Sequence, residues 1–150
     1  MNITITSSSQ AEYDAITELW EQSVRATHHF LTEADIDRLR PLIRHNYLKA
    51  VTLLCAQDSA GTIVGFMGVS GRKLEMLFIA PSHFGKGIGS QLLLHAISRM
   101  DVTQVDVNEQ NPAAAGFYKH HGFEIDSRSA LDGEGNPFPI LHLRLDKKSE

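Results

Sequence analysis

A chain of 150 residues is long enough for one compact domain and too short for two. Its 42% hydrophobic and 21% charged residues are those of an ordinary globular protein, and no apolar run approaches the ~18 residues that a bilayer crossing demands. The formal charge of -4, with basic residues scattered along the chain, argues against nucleic acid as the principal partner.

Ile3 and Ile5 alternate with polar neighbours and predict a first strand; no basic segment followed by an apolar core marks a secretion signal, so the cytoplasm is expected. Ile16, Leu19, Trp20 and Val24 recur at helical spacing, predicting an amphipathic helix from about Tyr13 to Thr27. Thr32 ahead of Glu33-Ala34-Asp35 reads as an N-cap with an acidic first turn, opening a shorter helix through Ile36 and Leu39 that Pro41 interrupts or restarts. The apolar runs Val51 to Ala56 and Ile63 to Val69, separated by Asp58-Ser59-Ala60-Gly61, predict a hairpin. Cys55 lies in the first run; a lone cysteine has no internal disulfide partner and reads as inert core in a reducing compartment. Gly71-Arg72-Lys73 then turns into the strand Leu74 to Ile79.

Ala80-Pro81 leads into Gly85-Lys86-Gly87-Ile88-Gly89 at the mouth of a helix whose apolar face is Ile88, Leu92, Leu93, Ala96, Ile97 and Met100. A glycine-rich turn at a helix start gathers free N–H groups and the positive end of the helix dipole, a ready site for a diphosphate. Lys86 offers a charge-assisted contact there, or is simply solvated. The spacing matches neither the dinucleotide fingerprint nor the P-loop. Val102 to Val107 returns as a strand, and Ala113 to His121 reads as a last helix stopped by Gly122. Phe123 to Ala130 and Phe138 to Leu145 flank Asp132-Gly133-Glu134-Gly135-Asn136-Pro137 as a closing hairpin, so the whole reads as α/β. No H-E-x-x-H and no cysteine pair occur, so no metal is expected, and His120 and His121 read as helix-end residues.

Three patterns follow in order: strand-Pro81-x-x-x-Gly85-x-Gly87-x-Gly89-helix, Asn111 seven residues before Tyr118, and Phe117-Tyr118-x-x-x-Gly122-Phe123. Together they resemble the acetyl-CoA site of the GNAT superfamily of N-acetyltransferases. Ser23-Val24-Arg25-Ala26-Thr27-His28-His29-Phe30-Leu31 and Val107-Asn108-Glu109-Gln110-Asn111 narrow the resemblance to small bacterial single-domain members of the YjaB type. One departure is Phe84, where the superfamily loop usually begins with Gln or Arg. The resemblance implies one domain over residues 1–150, with a central mixed, mostly antiparallel sheet flanked by helices and splayed between Leu74–Ile79 and Val102–Val107. It implies acetyl-CoA as co-substrate and a primary amine as acceptor, joined by direct attack in a ternary complex. The implied cofactor site comprises Leu77, Phe78, Ile79, Phe84, Gly85, Lys86, Gly87, Ile88, Gly89, Ser90, Asn111, Ala114, Phe117 and Tyr118.

Acetyl transfer needs a neutral amine, a polarised carbonyl and a proton for the departing thiolate. Alkyl amines titrate near ~10.4, so a base is useful at neutral pH. Alternation puts Leu74, Met76 and Phe78 on one strand face and Glu75, Leu77 and Ile79 on the other. Glu75 is then a lone acid among apolar residues, and burial would raise its pKa; it is the candidate base, with an exposed carboxylate paired to Lys or Arg as the alternative. Tyr118, a phenol near ~10, is the candidate proton donor to the CoA sulfur. The resemblance further implies the Ile79 N–H as carbonyl donor and places Trp20, Arg25, His28, His29 and Phe30 over the acceptor pocket, with His28 an alternative base or substrate contact. A non-catalytic acyl-CoA-binding module is the alternative reading, and monomer and homodimer both stay open.

Overall fold

The computed structural model of the chain describes residues 2–146. Seven strands make one sheet: β1 (Thr4–Ser7), β2 (Thr52–Gln57), β3 (Ile63–Ser70), β4 (Lys73–Ile79), β5 (Gln104–Asn108), β6 (Phe123–Ser129) and β7 (Ile140–Leu145). Their spatial order is β1-β2-β3-β4-β5-β7-β6, antiparallel at every step except β4–β5. Helices α1 (Tyr13–Thr27), α2 (Glu33–Leu42), α3 (Ile88–Met100) and α4 (Pro112–His120) flank it. The mixed, mostly antiparallel sheet implied by the motifs is thus found.

Alternation along the strands feeds two cores. Val64, Met67, Leu74, Val105 and Leu143 pack with Leu92, Leu93 and Ala96 of α3 and Ala115 and Tyr118 of α4. On the other face Leu53, Cys55, Phe66 and Met76 meet Ile16, Trp20 and Val24 of α1 and Ile36 of α2. Each large side chain buried this way contributes roughly 1.5–3 kcal/mol.

Pro41 does not interrupt the second helix. It sits inside α2, and the chain runs on through a π turn at Ile43–Tyr47 and a 3-10 turn at Leu48–Ala50. The proline is on the exposed side, while Ile36, Ile43 and Leu48 are buried beneath, so packing offsets the lost hydrogen bond.

Simple alternation also fails in β4. Gly68 pairs with Met76 and Val69 with Leu74, which leaves Glu75 bulged out. Leu74 therefore joins the core of Leu77 and Ile79, not that of Met76 and Phe78 as a strict period of two predicts. Just past the bulge the sheet opens: β4 and β5 pair only at Lys73–Gln104 and Leu74–Val105.

Candidate active site

The glycine loop is built for exposed amides. Gly85 and Gly87 have φ of 76° and 80°, a region costly for any residue with a Cβ. Gly87 is the N-cap of α3 and brings no side chain to cap it, so the first-turn N–H groups at Ile88, Gly89 and Ser90 have no partner from the helix. Phe117 of α4 stands behind the loop, its ring edge 3.5 Å from where a Cβ on Gly89 would lie.

The backbone of β4 extends this row of donors. Ala80 N–H donates to the Val64 carbonyl at 2.9 Å, so by alternation Phe78 and Ala80 turn their polar groups to β3. Leu77 and Ile79 then turn theirs to the opened side, beyond the last β5 pairing. A cavity of about 540 Å³ runs from the loop to this edge. A smaller gap of about 110 Å³ between β4 and β5 is lined by His28, Glu75, Asp106, Asn108 and Tyr118, among others.

Tyr118 borders both spaces, with its side chain buried. Its ring lies edge-on to Phe117 and Phe123, with centroids 5.2 and 5.9 Å away. No hydrogen bond of its hydroxyl is found among the described residues. Burial pushes the phenol well above its ordinary value, so it stays protonated and able to donate. Asn111 caps α4, its side chain accepting from Ala114 N–H at 3.2 Å, and also lines the cavity.

The structure gathers Leu77, Phe78, Ile79, Phe84, Gly85, Gly87, Ile88, Gly89, Ser90, Asn111, Ala114, Phe117 and Tyr118 around this one cavity. Lys86 is exposed and outside its lining. The residues placed over the acceptor pocket disperse: Trp20 and Arg25 are separated on α1 by its turn of about 100° per residue, and His28, His29 and Phe30 follow the end of that helix. Trp20 points into the core at 3% exposure, and Arg25 points outward to Glu21 at 3.0 Å and Glu33 at 2.8 Å. His29 is exposed, and Phe30 sits between His28 and Phe138 without lining the cavity. Of that set only His28 reaches the cavity, beside Ser23 and Thr27, which share its side of α1 and which the motif reading missed along with His83 and Ala113.

Glu75 borders the smaller gap, not the large cavity. The bulge leaves it exposed and 3.7 Å from Lys73 Nζ, so the burial expected of it is absent. His28 is the more enclosed group: burial, helped by His29, pushes its pKa down to about 4, which makes it neutral at physiological pH. Cys55 is buried on the α1 side and lines neither space. Among the described residues no group of three or more His, Cys, Asp or Glu is arranged to hold a metal.

A family model for the acetyltransferase (GNAT) domain matches residues 49–125, which span β2 to the start of β6 and include the whole glycine loop. The peptidyl-lysine N-acetyltransferase YjaB of Escherichia coli is 39% identical over 143 residues, covering 95% of this chain and 97% of that protein. This chain belongs to the GNAT family of N-acetyltransferases. YjaB of Salmonella typhimurium is 38% identical, again over 95% of the chain. The solution structure of apo YjaB from E. coli superimposes with a TM-score of 0.87, covering 96% of this chain and 97% of that one. The paiA N-acetyltransferase of Thermoplasma acidophilum, solved with coenzyme A, shares the GNAT fold at a TM-score of 0.76 and 21% identity, covering 97% of this chain. The motif-based expectation of an N-acetyltransferase is borne out, and the non-catalytic module is not favoured. GNAT enzymes use acetyl-CoA as co-substrate.

Proposed function

We propose that this GNAT enzyme moves an acetyl group from acetyl-CoA to the side-chain amine of a protein lysine, by direct attack in a ternary complex. One observation carries the reading: a single cavity joins the loop amides, the unpaired edge of β4 and the Tyr118 side chain. The diphosphate sits on the amides between Gly85 and Ser90, and the pantetheine arm fills the opening beside Leu77 and Ile79. The thioester oxygen accepts from Ile79 N–H, and Tyr118 hands its proton to the leaving thiolate. Glu75 and Asp106, held around Lys73 at the gap, suit a cationic acceptor. The lysine assignment draws on the YjaB relatives, which are named for that substrate.

The reading puts the enzyme in the cytoplasm as a monomer or homodimer, with neither nucleic acid nor membrane as a partner. Scattered basic residues and the lone cysteine support it, and no helix of the described residues is long and apolar enough to cross a membrane. The test is free-thiol release from acetyl-CoA with paired peptides that contain or lack lysine, with the acetylated position read by mass spectrometry. Thiol release and a lysine-borne acetyl group are expected. Acetyl-CoA that shows no affinity by calorimetry, or acetylation confined to peptide N-termini, would overturn it.

A further inference from the structure

Two spaces meet at Tyr118, the large cavity and the gap between β4 and β5. Six residues border both: Leu77 and Phe78 of β4, Ala114 and Tyr118 of α4, the α4 cap Asn111, and His28, the C-cap of α1. Among their polar side chains Asn111 is engaged with Ala114 N–H, which leaves Tyr118 and His28. These two reach the opening from opposite faces of the sheet. Tyr118 belongs to the core of α3 and α4, while the His28 ring packs beside Phe30 and Phe78 on the α1 side, with centroids 5.4 and 6.1 Å away.

One ring nitrogen of His28 is fixed by the helix. Thr27 Oγ1 lies 2.8 Å from the Ser23 carbonyl oxygen and 2.7 Å from His28 Nδ1. A carbonyl can only accept, so the single hydroxyl proton goes to Ser23, and Nδ1 carries the hydrogen that Thr27 Oγ1 accepts. Nε2 is then a bare lone pair. No hydrogen bond to it is found among the described residues, where the buried side-chain polar atom without a partner is Ser8 Oγ, so Nε2 opens on the spaces that the ring borders.

With acetyl-CoA in the large cavity and its thioester at Tyr118, the gap is the other space that Tyr118 borders, and the acceptor nitrogen arrives through it. At about 30 Å³ for a water-sized group, a gap of about 110 Å³ admits roughly four such groups, a slim alkyl amine and not a ring. Glu75 and Asp106 line the gap but not the cavity, and both are held by Lys73 Nζ, at 3.7 and 2.5 Å.

We propose that His28 Nε2 is the base of the transfer, with Thr27 and the Ser23 carbonyl holding the ring in the tautomer it needs. This rests on the acetyltransfer reading above. The acceptor ammonium loses its first proton to water before it attacks. As the N–C bond forms and the C–S bond breaks, the second proton passes from nitrogen to Nε2 and the Tyr118 proton passes to sulfur. The nitrogen becomes strongly acidic as it turns into an amide, so a weakly basic imidazole takes its proton. Burial disfavours the charged ring, as does His29, so the imidazolium returns its proton to water once the amide leaves, and water restores the Tyr118 hydroxyl. Nδ1 keeps its hydrogen throughout, and each turnover ends in the starting tautomer. Thr27 acts through the ring and is a positioning residue.

The test measures kcat at saturating acetyl-CoA with a lysine peptide for wild type, His28→Gln, His28→Ala and Thr27→Val, with acetyl-CoA calorimetry on each. Gln keeps an acceptor for the amine N–H but cannot take its proton. We expect kcat to fall about a hundredfold in both His28 variants, the low end of the range for a lost base, and about fivefold in Thr27→Val, while acetyl-CoA affinity holds. Added imidazole should restore part of the rate in His28→Ala and none in Thr27→Val. A His28→Gln rate within about threefold of wild type, or a His28→Ala loss that imidazole does not relieve, overturns the base alone. Should the His28 variants fail to fold, Thr27→Val decides: a lower kcat at unchanged Tm and acetyl-CoA affinity supports the base, and an unchanged kcat overturns it. Wild-type protein that binds acetyl-CoA yet acetylates no amine overturns the acetyltransfer reading and the base with it.

Discussion

Removing the Tyr118 hydroxyl should separate activity from stability. Tyr118→Phe retains the edge-on contacts with Phe117 and Phe123, and no hydrogen bond of the hydroxyl among the described residues is lost. The hydroxyl opens on the cavity and is not sealed in the core, so its removal should leave stability unchanged or raise it by no more than about 1 kcal/mol. For a chain of this size that is a rise in Tm of at most about 4 °C. The turnover rate should fall about 10²- to 10⁴-fold, because the thiolate leaves without its acid, while acetyl-CoA affinity holds. Burial raises the phenol above its ordinary 10.0, so wild-type turnover should show no loss from Tyr118 ionisation below pH ~10. Thermal unfolding, calorimetry and thiol release on the same preparation read all of this. A kcat within threefold of wild type, or a Tm that drops by more than about 4 °C, would refute the assignment of the hydroxyl as a proton donor without a structural role.

The loop and the sheet give further checks. Gly87→Ala meets no neighbour but must hold φ at 80°, so unfolding should become easier by roughly 1–2 kcal/mol, with weaker acetyl-CoA binding; equal stability in denaturant would contradict the strain. Gly68→Ala puts a Cβ 2.6 Å from Val51 Cγ2 and 3.0 Å from Met76 Cε, and overpacking should cost about 1–3 kcal/mol by chemical denaturation. His28 has its folded pKa lowered from 6.5 to about 4, so its contribution to stability is complete above pH 6.5 and lost as pH falls through 4, at most roughly 3 kcal/mol; stability curves for wild type and His28→Leu that run parallel across pH 4 to 6.5 would count against it. Phe84→Arg, at the exposed mouth of the cavity, should tighten acetyl-CoA binding by up to about fivefold at low salt and less at high salt, as calorimetry at two ionic strengths would show.

What could be read from the residues alone was local. Gly85 and Gly87 announce positive φ, Asn111-Pro112 announces a cap, and Tyr118 follows within two turns, so the loop, α3, α4 and much of the lining of the large cavity were legible. The bulge at Glu75 was not, because it arises where β3 and β4 fall out of register at Gly68 and Val69, a tertiary event. The residues expected on the acceptor side do not share one cavity for a different reason: they were carried over as a run, whereas helix phase points Trp20 inward and Arg25 outward. Asp106 and His142 are 36 positions apart and meet because β7 inserts between β5 and β6, an order the closing hairpin does not reveal. Pro41 misled because buried neighbours outweigh one absent donor.

Between the four-strand half β1-β2-β3-β4 and the three-strand half β5-β7-β6, the described backbone is stitched at two residue pairs. On the proposed placement, acetyl-CoA in the seam would act as a removable eighth strand. By mass action it adds about 2.7 kcal/mol of resistance to unfolding at a hundredfold excess over its Kd. The resistance of the fold to heat would then rise and fall with the concentration of that ligand.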